Sequence, residues 1–175
     1  MQKQESKTKK KHSWGNRLGV CVSTQKRQDW RTPDDFFNFC AFRFGPFTLD
    51  AAASRSNRKC KNFFDEHNNG LLQSWKGQTV WCNPPYERGS AKAWLSKAYD
   101  EMRTNGVKSA LLLPVNTSTI WFHEHAAGKC SVYLVKRRLC FDDNKSAAPF
   151  CSMLCVFDPN EKPKIDVLDF KEFKG

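Results

Sequence analysis

Apolar positions along the chain recur in two rhythms. Phe36, Phe37, Phe39 and Cys40 follow a helical spacing. The residues ahead of them, Thr32-Pro33-Asp34-Asp35, form a helix start: Thr caps, Pro fits the first helical position, and the acids meet the positive end of the dipole. Gly45-Pro46 stops that pattern, and Phe47-Thr48-Leu49-Asp50 reads as a short strand ending in an acid. A polar, basic connection from Ser54 to Lys61 leads to Lys61-Asn62-Phe63-Phe64-Asp65, a second short strand with an acid at its end, and Asn68-Asn69-Gly70 signals a turn. Thr79-Val80-Trp81-Cys82 is a third strand. A helix is predicted from Ser90 to Arg103, with Ala91, Trp94, Leu95 and Ala98 on one side and Asn105-Gly106 as its stop. Ser109 to Pro114 is a continuous apolar run of the buried, parallel type. Thr117 or Ser118 caps a further helix through Ile120, Trp121, Phe122 and Ala126, and Val132-Tyr133-Leu134-Val135 is another strand.

Strand, helix and strand in alternation imply an α/β fold with a mostly parallel sheet and helices on both faces. After Arg137-Arg138-Leu139-Cys140-Phe141 the rhythm changes. Ser152 to Phe157 follows with no helix between, so it is expected to pair antiparallel beside the preceding strand as a closing hairpin. Phe36, Phe37, Phe39, Phe42 and Phe44 are assigned to the core. A buried strand that delivers a carboxylate at its C-terminal end, as the one ending at Asp50 does, is how open α/β sheets build ligand sites.

Composition narrows this picture. A chain of 175 residues fits one core, and 39% hydrophobic residues with 13% aromatics exclude a wholly disordered protein. The net charge is +11, and residues 1–28 carry eight basic side chains against one acid, Glu5. The chain therefore divides into a flexible basic arm over 1–28 and a domain over 29–175. Lys9, Lys10 and Lys11 either gather phosphates through counterion release or simply solubilise the terminus. The eight cysteines are read as reduced thiols, because no leader precedes them and the core is adequate; Cys151 and Cys155 sit in an apolar run as small buried hydrophobes. No segment approaches the roughly 20 apolar residues of a membrane span, so a cytoplasmic protein is expected. His123-x-His125 near Cys130, and Cys151-x-x-x-Cys155, lack the paired short spacings of a structural zinc site, and no metal is expected.

The most informative point is the junction where Trp81-Cys82 runs into Asn83-Pro84-Pro85-Tyr86. The exocyclic N6 amine of adenine is a poor nucleophile because its lone pair is delocalised into the ring. A side-chain amide oxygen and a backbone carbonyl that accept its two N–H bonds can orient that lone pair toward an electrophile. Asn83 supplies the first acceptor and the Pro84 carbonyl the second, while consecutive prolines fix φ and stiffen the loop before substrate arrives. Tyr86 presents an aromatic face on which an unstacked base can lie. A tight Asn-Pro turn followed by a core Tyr is the competing reading. No catalytic histidine is assigned: the amine becomes strongly acidic once methylated and sheds its proton to water.

Asp29-Trp30-Arg31-Thr32-Pro33, Leu49-Asp50-Ala51-Ala52-Ala53, Asn69-Gly70-Leu71, Trp75, the Trp81 to Tyr86 segment and Arg138-Leu139-Cys140-Phe141 together resemble the phage-encoded DNA N6-adenine methyltransferase family, over about residues 29–158. The resemblance implies a Rossmann-like methyltransferase sheet, S-adenosylmethionine as methyl donor, double-stranded DNA as substrate, and a phage or prophage gene acting in a bacterial host. It also implies that Trp30, Thr32 and Pro33 lie against the methionine part of the donor, that Asp50 pairs with its amino group, and that Asp65 reaches the ribose hydroxyls. The strand-one loop reads Asp50-Ala51-Ala52-Ala53 and lacks the Gly-x-Gly common in such enzymes, although alanine still lets a cofactor approach. Asn69 stands where an aspartate would accept from the donor's adenine amine.

Arg88 and Lys92 after the loop, and Arg137 and Arg138 between strands, are candidates for phosphate contact, with solvated surface positions as the alternative. Two other functions stay open on sequence: methylation of an RNA base or a protein glutamine, which the Asn-Pro-Pro-Tyr arrangement also serves, and a non-catalytic DNA-binding relative.

Overall fold

A computed structural model describes residues 30–141 and 147–170. Lys9, Lys10, Lys11, Asp29 and the boundary between arm and domain therefore lie outside the described residues. The elements run α1 (Asp34–Phe44), β1 (Leu49–Asp50), β2 (Asn62–Phe63), β3 (Thr79–Cys82), α2 (Ser90–Asn105), β4 (Lys108–Pro114), α3 (Ile120–His125), β5 (Ser131–Val135), β6 (Ser152–Phe157) and β7 (Ile165–Leu168). The strands form one seven-stranded sheet in the order β2-β1-β3-β4-β6-β5-β7. β6 is inserted antiparallel between β4 and β5, and every other pairing is parallel.

Side-chain alternation along the central strands divides the core between two faces. Val80, Cys82, Leu111 and Leu113 pack with Trp94, Leu95 and Ala98 of α2 and Phe122 of α3. Trp81, Ala110 and Leu112 point the other way, onto Phe36, Phe39, Cys40 and Phe44 of α1. Period two in the strands and a near-3.6 period in the helices thus meet at both faces. Each wholly buried aliphatic side chain, Leu95 for example, contributes about 2 kcal/mol of burial free energy. All six residues of β6 are buried, as its central place requires. Gly106, in the left-handed region at φ 65°, ends α2 and donates its N–H back to the Glu101 and Met102 carbonyls.

Several expectations need correction. Thr32 does not cap α1: Pro33 is the N-cap residue with no side-chain cap bond, and the Thr32 hydroxyl is engaged elsewhere. The third helix is likewise capped by neither Thr117 nor Ser118; it begins after Thr119. Phe42 is 79% exposed, because it lies on the side of α1 opposite the buried Cys40 and Phe44. Cys151 is exposed at the residue before β6, whereas Cys155 within it is buried. β1 and β2 are shorter than their apolar runs, two residues each.

β7 has no counterpart in the sequence reading. Its four residues pair parallel with β5 at the sheet edge and leave Ile165 and Val167 exposed. A charged, edge-exposed tetrapeptide carries too little apolar alternation to announce itself. Among the described residues, no helix is long and apolar enough to cross a membrane, every cysteine is free, and no group of three or more His, Cys, Asp or Glu could hold a metal ion.

Candidate active site

The chain leaves β1 outward to the edge strand β2 and then returns to the other side of β1 as β3. That reversal is a topological switch point, where the loops after neighbouring strands diverge and leave a crevice. A cavity of about 610 Å³ opens there, a size suited to a cofactor-sized ligand. The register Asp50↔Trp81 puts Asn83 two residues beyond the level of Asp50, and both line the cavity.

Of the residues expected to meet a donor, Trp30, Thr32, Asp50, Ala51, Ala52, Asp65 and Asn69 all line this cavity, and Pro33 does not. From the Asn83-Pro84-Pro85-Tyr86 loop, Asn83 and Pro85 line it, while Pro84 is buried and Tyr86 half-buried. Lys59, Phe64, Gly70 and Trp94 also form its wall; none was assigned to a site from the sequence, although Gly70 stands in the Asn69-Gly70-Leu71 segment of the resemblance. Lys59 is hidden in a basic connection that looks like ordinary solvated surface, and Gly70 looks like a turn residue.

Asp50 is 3% exposed. Its carboxylate accepts the Lys59 backbone N–H at 2.9 Å and the Ala52 N–H at 3.4 Å. Burial pushes its pKa up to about 6, against the opposing pull of those two N–H groups and of the Lys59 ammonium. The Lys59 ammonium itself pairs with Asp34 at the start of α1. Asp65 is held in a turn by the N–H groups of His67 and Asn68, both on Oδ1 at 3.1 Å.

Asn69 has φ 47° and accepts the Leu71 N–H on its own Oδ1 at 3.2 Å. Its acceptor is thus partly committed to the turn, which qualifies the role expected of it toward an adenine amine. The next residue must be glycine for reasons of space: a Cβ at Gly70 would lie 2.1 Å from the Ala51 carbonyl oxygen. The alanine-rich loop after β1 is therefore backed directly by main chain.

The Asn83 side chain is held at both ends. Its Nδ2 donates to the Trp30 carbonyl at 2.5 Å and to the Thr32 hydroxyl at 3.0 Å, and its Oδ1 accepts from the Tyr86 hydroxyl at 2.8 Å. Burial raises the Tyr86 phenol well above its ordinary value, so it remains a proton donor. The Tyr86 ring meets Phe141 and Phe150 at near-perpendicular angles, and Trp30 packs edge-on against the same two rings. Phe141 carried a signal, as the last residue of Arg138-Leu139-Cys140-Phe141; Phe150, in a non-periodic stretch, carried none.

β5 runs in the same direction as β4, since both oppose β6. Arg137 and Arg138, just beyond β5, therefore emerge at the same end of the sheet as Asn83, and both are exposed. Arg88 and Lys92 are exposed at the entry to α2, immediately after the Asn-Pro-Pro-Tyr loop.

This sheet order, with helices on both faces and Asn-Pro-Pro-Tyr at the rim of a switch-point cavity, defines a Rossmann-like methyltransferase domain. The chain belongs to the DNA N-6-adenine-methyltransferase (Dam) family, whose model matches residues 20–172. It is 34% identical over 117 residues to the DNA N-6-adenine-methyltransferase of Escherichia phage T1, a match covering 66% of this chain and 48% of that protein. It is also 35% identical over 63 residues, 33% of this chain and 69% of the relative, to the "Putative methyltransferase YfdM" of Escherichia coli (strain K12). The chain thus spans about half the length of the phage relative.

Proposed function

We propose that the protein transfers a methyl group from S-adenosylmethionine to the N6 amine of adenine in double-stranded DNA. The observation that carries this reading is the convergence of Asn83 and Asp50 on one cavity, with the Pro84 carbonyl following Asn83 in a proline-stiffened loop.

The wall of the cavity fits the donor. Asp50 offers a buried carboxyl to an ammonium, Asp65 a turn-anchored carboxylate to ribose hydroxyls, and Ala51, Ala52 and Gly70 leave room for close approach. When bound, the donor supplies an electrophilic methyl on a sulfonium. Asn83 Oδ1 has a second lone pair beyond the one Tyr86 occupies, and that lone pair accepts one N6–H while the Pro84 carbonyl accepts the other. The amine lone pair is then directed into the cavity. Tyr86 provides a ring beside that point for the flipped base, and Arg88, Lys92, Arg137 and Arg138 sit where flanking phosphates would pass. The amine proton leaves after transfer, when the methylated nitrogen is a strong acid.

The test is incubation with radiolabelled donor and unmethylated duplex DNA, followed by nucleoside analysis. Label in N6-methyladenine supports the reading. Donor binding without label in DNA points instead to an RNA or protein nitrogen, and absence of donor binding to a non-catalytic relative. Asn83→Ala is expected to keep donor affinity and to lose about a hundredfold or more in turnover, the scale of removing a preorganised transition-state contact; near-normal turnover would remove Asn83 from the mechanism.

A further inference from the structure

We infer that Thr32 is a positioning residue for Asn83: with the Trp30 carbonyl setting which end of the amide faces it, the Thr32 hydroxyl takes the second Nδ2–H and holds the amide plane so that oxygen, not nitrogen, is presented to the substrate amine. This inference rests on the role of Asn83 proposed above.

A primary amide is nearly isosteric under a 180° flip, yet the two flip states have opposite chemistry. With Oδ1 toward the amine, Asn83 accepts an N6–H; with Nδ2 toward it, two donors face each other and the lone pair is left unoriented. Packing alone cannot distinguish these states, because the two ends of the amide have almost the same size. The polarity of the partners must decide. The Trp30 carbonyl can only accept, and it receives one Nδ2–H at 2.5 Å. The Thr32 hydroxyl, which can donate or accept, lies 3.0 Å from Nδ2; with polarity set by Trp30 it receives the second N–H and fixes the plane of the amide. Tyr86, kept protonated by burial, marks the opposite end by donating to Oδ1.

Thr32 is 5% exposed, so its hydroxyl is largely shielded from bulk water. Nor is that hydroxyl spent on the helix behind it, because Pro33 is the N-cap residue of α1 and carries no side-chain cap bond. Trp30 and Thr32 stand 53 and 51 positions before Asn83 in the chain, so the segment ahead of α1 supplies the catalytic loop with orientation that the loop itself lacks. The Thr-Pro pair acquires a reason beyond cofactor contact: proline locks the backbone directly after the threonine that must stay aimed at Asn83.

The test compares Thr32→Val, which keeps the shape and removes the hydroxyl, with Thr32→Ser, which keeps the hydroxyl. The Asn83 side-chain amide protons, assigned by their loss in Asn83→Asp, give a readout independent of turnover. One of the two is expected to move upfield in Thr32→Val, and both to stay near their wild-type positions in Thr32→Ser. In single-turnover methylation of unmethylated duplex DNA, Thr32→Val is expected to slow the chemical step about tenfold with donor affinity within twofold of wild type, and Thr32→Ser to restore the rate. An unmoved amide pair in Thr32→Val overturns the inference. So does equal slowing by both variants, which would make Thr32 a packing residue, or a loss confined to donor affinity, which would make it the donor contact expected from the sequence. If the wild-type protein places no label in adenine, the proposed function fails, whereas the amide spectra still decide whether Thr32 holds Asn83.

Discussion

The Asp50 carboxyl sits at the end of a buried strand, where it is short of water but bonded by two backbone N–H groups. Desolvation outweighs those bonds and raises its pKa from 3.8 to about 6. For stability the sign is that of a raised group: its contribution is fully present below about pH 4 and is lost as pH rises through about 6. For function the sign reverses, since a donor ammonium pairs with the ionised form. Donor affinity is therefore expected to weaken roughly tenfold per pH unit as pH falls below about 6, with proton release on binding. Calorimetry in buffers of differing ionisation enthalpy, run at pH 5.5 and at pH 7.5, measures the released proton directly. Asp50→Asn should abolish the pH dependence; a pH-independent affinity in the wild type would separate Asp50 from the ammonium. The carboxylate at this strand end was legible in the sequence, whereas its pKa was not, because burial depends on how β2, β3 and the loop around Lys59 close over it.

At the scale of elements, the cavity wall is held in place from α2. Glu101, 4% exposed on that helix, accepts the Trp75 backbone N–H, the Lys97 ammonium and the Asn105 amide. Despite desolvation, those bonds hold its carboxyl below the usual range. The Trp75 indole N–H in turn donates to the Gly70 carbonyl at 3.0 Å, and Gly70 abuts Ala51. Gly70→Ala must push main chain apart at that contact. It is expected to cost about 2 kcal/mol of stability, the scale of an overpacked core site, and to weaken donor binding at least about tenfold by displacing the loop after β1. Thermal unfolding and donor titration on the same preparation check both, and an unperturbed donor affinity would show that the loop does not need this backing. The strands β4 and β6 were readable because their apolar runs are long, and α2 because its stripe and its glycine stop agree. The contact between Gly70 and Ala51 was not, since a glycine required for space looks the same in sequence as one required for a turn. Thr32 was misread for a related reason: threonine before Pro-Asp-Asp has the local signature of a cap, and a partner 51 residues away took its hydroxyl instead.

At the scale of the whole molecule, two sets of basic side chains are candidates for gripping a duplex. The end of the sheet that carries Asn83 also carries Arg88, Lys92, Arg137 and Arg138. The remaining positive charge is concentrated in residues 1–28, which hold eight of the 29 Lys and Arg side chains. These two sets should act differently on binding. In the proposed reading Arg137 and Arg138 meet phosphates flanking the target base, so replacing both by alanine is expected to lower the slope of log K against log salt concentration by about two and to slow methylation even at low salt. Removing residues 1–28 takes away eight basic side chains and one acid, a net charge of +7. It is expected to flatten the salt dependence further, by several units if most of the eight cations neutralise phosphates, while turnover on saturating DNA stays within about twofold of wild type. Fluorescence anisotropy of a labelled duplex across a salt series, paired with methylation rates at saturation, separates these outcomes. An unchanged slope after truncation would make the arm a spectator and place the electrostatic grip on the sheet end alone; a large fall in turnover at saturation would mean that the arm takes part in presenting the base.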